Sequence, residues 1–257
     1  MTDLQKASLW KRISAALFDF ILLAIIVAGA ATGLTAVFGY DDYAEQVTTA
    51  YQQYGEEYGI ELPLSNEKYE AMTDAEKESY RQQYQLVQQA MSKDASLMRA
   101  VNMTNHLPLL TVTFSVLFGV LLMELLVPYM LGNGQTLGKK IFGIALMRVD
   151  GVKISRLQMF VRSVLGKYAV ELMIPIFLFI NLYWFGSISI VGIAVLLVLL
   201  IAQVLCLAVA KNGALLHDVL AGTVAVDFAS QMIFETKEEQ LEYIKELHAK
   251  EAARAAY

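Results

Sequence analysis

The chain alternates long apolar stretches with polar ones, and the lengths of the apolar stretches decide its class. From Ile13 to Tyr40 the only charge is Asp19, and from Ala100 to Leu131 the only charge is Glu124. A bilayer core about 30 Å thick needs about 20 apolar residues in a helix, because every backbone amide must find its partner inside the segment. Each stretch therefore reads as one spanning helix. From Leu172 to Ala210 there is no charge at all, too long a run for one span, and Asn181 to Gly186 interrupts it. It reads as two helices joined by a tight turn, the first beginning near Val164. The predicted spans are about 13–38, 107–131, 164–181 and 187–210.

The stretches between them are polar but patterned. Tyr43, Val47, Tyr51, Tyr54 and Tyr58 recur at spacings of 4, 4, 3 and 4, one stripe of a helix. Thr73 and Glu76 form a capping-box pattern ahead of Tyr80, Tyr84, Val87 and Met91 on one face. Residues 41–105 thus predict a helical hairpin whose tyrosines pack its two helices together; a binding surface is the competing use of the stripe. Further on, Ile144 to Val149, the turn Asp150-Gly151 and Val152 to Ile154 predict a short β-hairpin, and Ser155 with Gln158 caps a helix leading into the third span. After the alternating Val224, Val226 and Phe228, Thr236 and Glu239 open a last amphipathic helix carrying Leu241, Ile244 and Leu247, expected to be a solvated tail over 235–257.

Composition agrees with a membrane: of 257 residues 56% are hydrophobic and 18% charged, below the roughly 25% of soluble domains. The net charge of -5 matters through its layering. Residues 41–106 hold twelve acids against five bases, whereas 132–168 hold seven bases against Asp150 alone. Bases collect on the cytoplasmic side of a membrane. The expectation is an all-α integral membrane protein of the plasma membrane: a four-span helical bundle with N- and C-termini inside. The insert 41–105 is extracytoplasmic, 1–40 with 106–234 form the membrane domain, and 235–257 is a cytoplasmic amphipathic helix. The basic inner segment suits anionic lipid. Ala28-Gly29-Ala30 looks like a signal-peptidase site, but the apolar run continues to Phe38 and Asp19 would hinder a signal segment, so cleavage is not expected.

Several site chemistries fail on spacing. Gly132-Asn133-Gly134-Gln135-Thr136-Leu137-Gly138-Lys139-Lys140 invites a phosphate-loop reading, yet only three residues separate Gly134 from Gly138, and Lys140 stands where Ser or Thr would hold magnesium. Leu137 occupies the place of the third glycine of a dinucleotide fingerprint. His217 lies beside Asp218, but no motif places a nucleophile near them, and His106, His217, His248 and Cys206 share no zinc spacing. No enzyme activity, no cofactor, no metal and no nucleic-acid partner is expected.

Three motifs carry a resemblance. Arg12 followed by Asp19 in the first span, Gly134-Gln135-Thr136-Leu137-Gly138-Lys139-Lys140 after the second, and His217-Asp218-Val219-Leu220-Ala221-Gly222-Thr223 near the end resemble the RDD family of membrane proteins over about 150 residues around the insert. The family is named for one arginine and two aspartates, which the resemblance assigns to Arg12, Asp19 and Asp218. The long insert and the fourth apolar span depart from shorter three-span members. The family is mostly of unknown function, and the resemblance implies at most a transport role, such as sodium/proton exchange.

Read from the residues alone, the notable groups are the charges inside apolar stretches, which cost at least about 2.5 kcal/mol each at a helix centre. Asp19 lies seven residues past Arg12, Glu124 seven before Leu131, and Glu171 seven past Val164, placing three carboxylates at one depth with Asp218 able to fold back beneath them. Two readings stand. Asp19, Glu124 and Glu171 line a polar cavity in which a carboxylate binds a cation or a proton; or these acids are neutralised by Arg12, Lys167, Arg162 and Lys211 in a network that fixes four helices, with Lys167 and Glu171 pairing four apart. The candidate charge network is Arg12, Asp19, Glu124, Lys167, Glu171 and Asp218. The first reading makes the protein a small cation/proton transport component; the second makes it a non-transporting scaffold or accessory subunit whose outer hairpin binds a membrane partner. Gly29 and Gly33 form a small-xxx-small pair for close helix packing, expected within the chain, with a homo-oligomer as the alternative.

Overall fold

The computed structural model describes residues 4–209 and 213–255. It is about 77% helical, and four helices are long and apolar enough to cross a membrane: α1 (Leu9–Phe38), α5 (Ala95–Leu131), α7 (Arg156–Trp184) and α8 (Ile190–Val209). The apolar stretches thus form helices of spanning length, though three extend beyond the predicted bounds, to Leu9, Ala95 and Arg156, because polar residues continue the same helices past the apolar run. Two compact units are formed, Gly29–Phe114 and the rest of the chain.

In the Gly29–Phe114 unit, Gly39 at φ +65° separates α1 from α2 (Tyr40–Tyr58), and Gly59 at φ +68° ends α2 with its N–H on the Glu56 carbonyl. The short α3 (Asn66–Ala71) follows, then α4 (Asp74–Lys93), which opens on a complete capping box between Thr73 and Glu76. Ile60, Leu62 and Val87 are buried, with Tyr51, Tyr54, Tyr58, Tyr80, Tyr84 and Met91 packed around them. The tyrosine stripes are therefore the core of this insert. Among the described residues of this unit, a Cβ built at Gly29 or Gly33 meets nothing within 4 Å.

The other unit departs from an all-helical fold. After α6 (Leu137–Ile141), strand β1 (Ile144–Arg148) pairs antiparallel with β2 (Thr223–Asp227), Ile144 opposite Asp227 and Arg148 opposite Thr223. The predicted 144–154 hairpin survives only as a tight turn, with a single bridge between Met147 and Lys153 and a hydrogen bond from Arg148 N to the Val152 carbonyl at 2.8 Å. Burial on both faces decides the pairing. Ile144 and Leu146 pack with Ala7, Ala15, Ile154 and Met159 on one side, while Ala145, Met147, Val224 and Val226 form a second cluster on the other. The distant strand supplies alternating apolar residues that three turn residues cannot.

Helix α7 starts on a capping box between Ser155 and Gln158. The short α9 (Leu216–Ala221) precedes β2, and α10 (Lys237–Ala255) ends the described chain. That last helix is tied down at its first turns. The Gln240 amide donates to the Asp150 carbonyl at 2.6 Å, and Tyr243 packs on Phe234 at 5.5 Å, so the expected solvated tail is anchored at its start.

Two long helices change winding. Leu121–Leu126 of α5 and Val161–Met173 of α7 are π-helical, with i→i+5 hydrogen bonds in place of i→i+4. In α7 this brings residues five apart to one side of the helix, and Arg162 and Lys167 are such a pair.

A buried charge cluster around one cavity

The site begins at α1. Asp19 is buried one turn on from Ala15 on the same face, and its carboxylate receives hydrogen bonds from the Thr136 hydroxyl and from Gly138 N at 2.8 Å. Thr136 caps α6, its oxygen also accepting from Lys139 N at 3.3 Å and from the Lys139 ammonium at 3.2 Å. This explains the second glycine of the Gly134-to-Lys140 stretch. A Cβ on Gly138 would clash with the Ala15 carbonyl and lie 2.9 Å from the Asp19 carboxyl carbon. Gln135 completes the seat by donating to the Ile144 carbonyl at 2.8 Å, which ties the loop to β1.

Around Glu124 three cations converge: the Lys167 ammonium in direct contact, Arg162 Nη1 at 3.5 Å and Lys139 Nζ at 3.8 Å. The Ser163 hydroxyl donates to the Glu124 peptide carbonyl at 2.7 Å, a side-chain partner at the point where π-winding alters the backbone pattern. Arg162 also donates through Nε to Asp218 at 2.8 Å and lies 2.9 Å from His217 Nε2 through Nη2. His217 Nδ1 is 2.9 Å from both oxygens of Glu171, and its backbone N–H donates to Glu171 at 3.1 Å. Since a guanidinium only donates, Nε2 must accept, which places the imidazole proton on Nδ1 facing Glu171. Close packing holds this corner: a Cβ on Gly166 would lie 2.7 Å from the Cβ of His217.

Electrostatics outside the long helices follow from burial and partners. Burial opposes charge on Asp218, but Arg162 outweighs it and holds the carboxyl below the usual carboxylate range. Burial lowers His217, and the Arg162 charge lowers it further. Burial brings the Lys139 ammonium down to about 8, against the pull of Glu124.

All six residues of the candidate network, Arg12, Asp19, Glu124, Lys167, Glu171 and Asp218, line one cavity of about 280 Å³. Their pairing differs from the sequence expectation. Lys167 turns to Glu124 and Glu171 to His217, so the i,i+4 pair is not formed, because partners on α5 and α9 are nearer. Arg12 reaches the cavity wall without an ion pair among the described residues, and Lys211 lies outside them. Sequence reasoning set His217 aside and did not place Lys139; the position of each inside a quoted motif, next to Asp218 and after Gly138, was the available signal.

No curated protein and no solved structure matches this chain. The model of the RDD family does match, over residues 6–222, a range that contains every residue of the cavity cluster. With Arg12, Asp19 and Asp218 gathered on that cavity, the chain belongs to the RDD family of membrane proteins.

Proposed function

We propose that this RDD-family protein crosses the plasma membrane four times, with both ends in the cytoplasm and the insert outside, and that it exchanges a small cation for protons through the cavity that these charges line. The asymmetry of seven bases in 132–168 against twelve acids in 41–106 supports the orientation. The basic segment also suits contact with anionic lipid.

The observation that carries the transport reading is the state of Asp19. Glu124, Asp218 and Glu171 are each supplied with a cation or an imidazole, but Asp19 is bound only by a hydroxyl and a backbone N–H and forms no ion pair among the described residues. A buried carboxylate so placed is costly unless it takes up a cation or a proton. The cavity beside it is large enough for a hydrated ion.

The pairing of the other three acids favours a second reading, a scaffold in which the network only fixes the helices. Sodium-driven proton movement in proteoliposomes, measured beside thermal unfolding, separates the two. Asp19→Asn should abolish exchange in a protein that still folds. Unchanged exchange, or none in the parent protein, would overturn the transport reading, and loss of folding with every neutral substitute would favour the scaffold.

A further inference from the structure

Exchange against protons needs a group that can take a proton without dismantling the site, and the carboxylates of Glu124 and Asp218 are poor candidates. Glu124 faces three cations and Asp218 is held by Arg162, so each is committed to its charge. Resting on the transport reading above, we propose that His217 is the proton-binding group of this cavity and that its protonation re-partners Arg162.

The geometry defines the step. In the structure His217 is a neutral link, Nδ1–H toward Glu171 and Nε2 accepting from Arg162 Nη2 at 2.9 Å. A proton arriving at Nε2 makes both groups donors, so that hydrogen bond breaks. The new Nε2–H then faces Asp218 Oδ2, 3.7 Å away, and Nδ1–H keeps its carboxylate. Asp218 now answers two cations, and Arg162, displaced at one nitrogen, turns toward Glu124, already 3.5 Å from Nη1. No covalent bond other than N–H forms, and release returns the proton to water.

The charged groups facing the imidazole are Arg162 and Lys167 from α7, which resist the proton, and Glu171 from α7 with Asp218 from α9, which favour it. Gln203 of α8 contributes no charge; it accepts from Leu216 N at 3.2 Å and fixes the start of α9. Burial and Arg162 keep the proton off until the cavity meets acid.

Nitrogen-labelled histidine spectra of the full chain in lipid nanodiscs test this, with His217→Gln used to assign the signal among three histidines. The expected result is an Nδ1–H tautomer at neutral pH and a titration on the acid side of an ordinary imidazole. In Glu171→Gln the midpoint should fall by about one unit or more, since the facing carboxylate is gone. An Nε2–H tautomer, no titration, or a midpoint unmoved in Glu171→Gln would overturn the assignment. In proteoliposomes, His217→Gln should lose the response of sodium uptake to an imposed pH gradient; a full response would overturn the coupling. If the parent protein carried no sodium, the transport reading would fail while the imidazole titration still decided its own question.

Discussion

The insert and the cavity use the same residue types in opposite ways. In the insert Lys68 meets Glu61 at 2.6 Å with side chains 60% and 52% exposed, whereas Arg162 and Glu124 meet at 3.5 Å with 4% and 7% exposed. The closer pair is the less costly to break. Water screens the exposed pair, which contributes about 0–1 kcal/mol, while removing one member of a buried pair leaves the other charged and unpartnered at a cost of about 3–5 kcal/mol. The insert draws its stability from tyrosines around Ile60, Leu62 and Val87, and the other unit commits its charges to the cavity wall.

The comparison breaks hardest at Arg162. Arg162→Met takes from Asp218 its guanidinium partner and removes one contact each from His217 and Glu124, and should cost about 3–5 kcal/mol, read as loss of a monodisperse, cooperatively melting protein. A variant that melted like the parent would mean these charges are solvated after all. Next comes Gly138→Ala, whose methyl group has no room between Ala15 and Asp19; a loss of about 1–3 kcal/mol is expected in thermal unfolding.

Lys139 sharpens the comparison through pH. Its folded-state ammonium titrates near 8 rather than 10.5, so between these values the unfolded chain binds more protons and stability from this group rises with pH. The melting temperature of the parent relative to Lys139→Gln should therefore climb as pH goes from about 8 toward 10; a constant difference would place Lys139 in water. In the insert, Thr73→Ala removes the hydroxyl arm of the capping box, leaving the backbone N–H of that residue on Glu76, and should cost about 1 kcal/mol. Lys68→Ala should leave unfolding of the insert unchanged within error.

Much of this was legible in the chain, and the omissions share a cause. Apolar length announced the long helices, and the Thr73-Glu76 and Ser155-Gln158 spacings announced two helix starts, because both signals are local. The pairing of Ile144–Arg148 with Thr223–Asp227 was not, since register between strands so far apart is set by burial on both faces rather than by any neighbouring turn. Asp19, Glu124 and Glu171 stood out as charges in apolar runs. Of their partners, Arg162 and Lys167 were expected from the sequence, but Thr136, Lys139 and His217 were not, because they look like ordinary loop and helix residues until α6 and α9 fold onto the long helices. The π-winding of α7 leaves no pattern in hydrophobicity, yet it sets which of its charges share a side.

The most direct measurement of cation binding at Asp19 is thermal unfolding in lipid nanodiscs, with sodium against an equal concentration of choline, for the parent and for Asp19→Asn. A ligand that binds only the folded state raises the melting temperature. Sodium should raise it for the parent and leave Asp19→Asn unmoved; no rise in the parent, or the same rise in both, would contradict a cation site at Asp19.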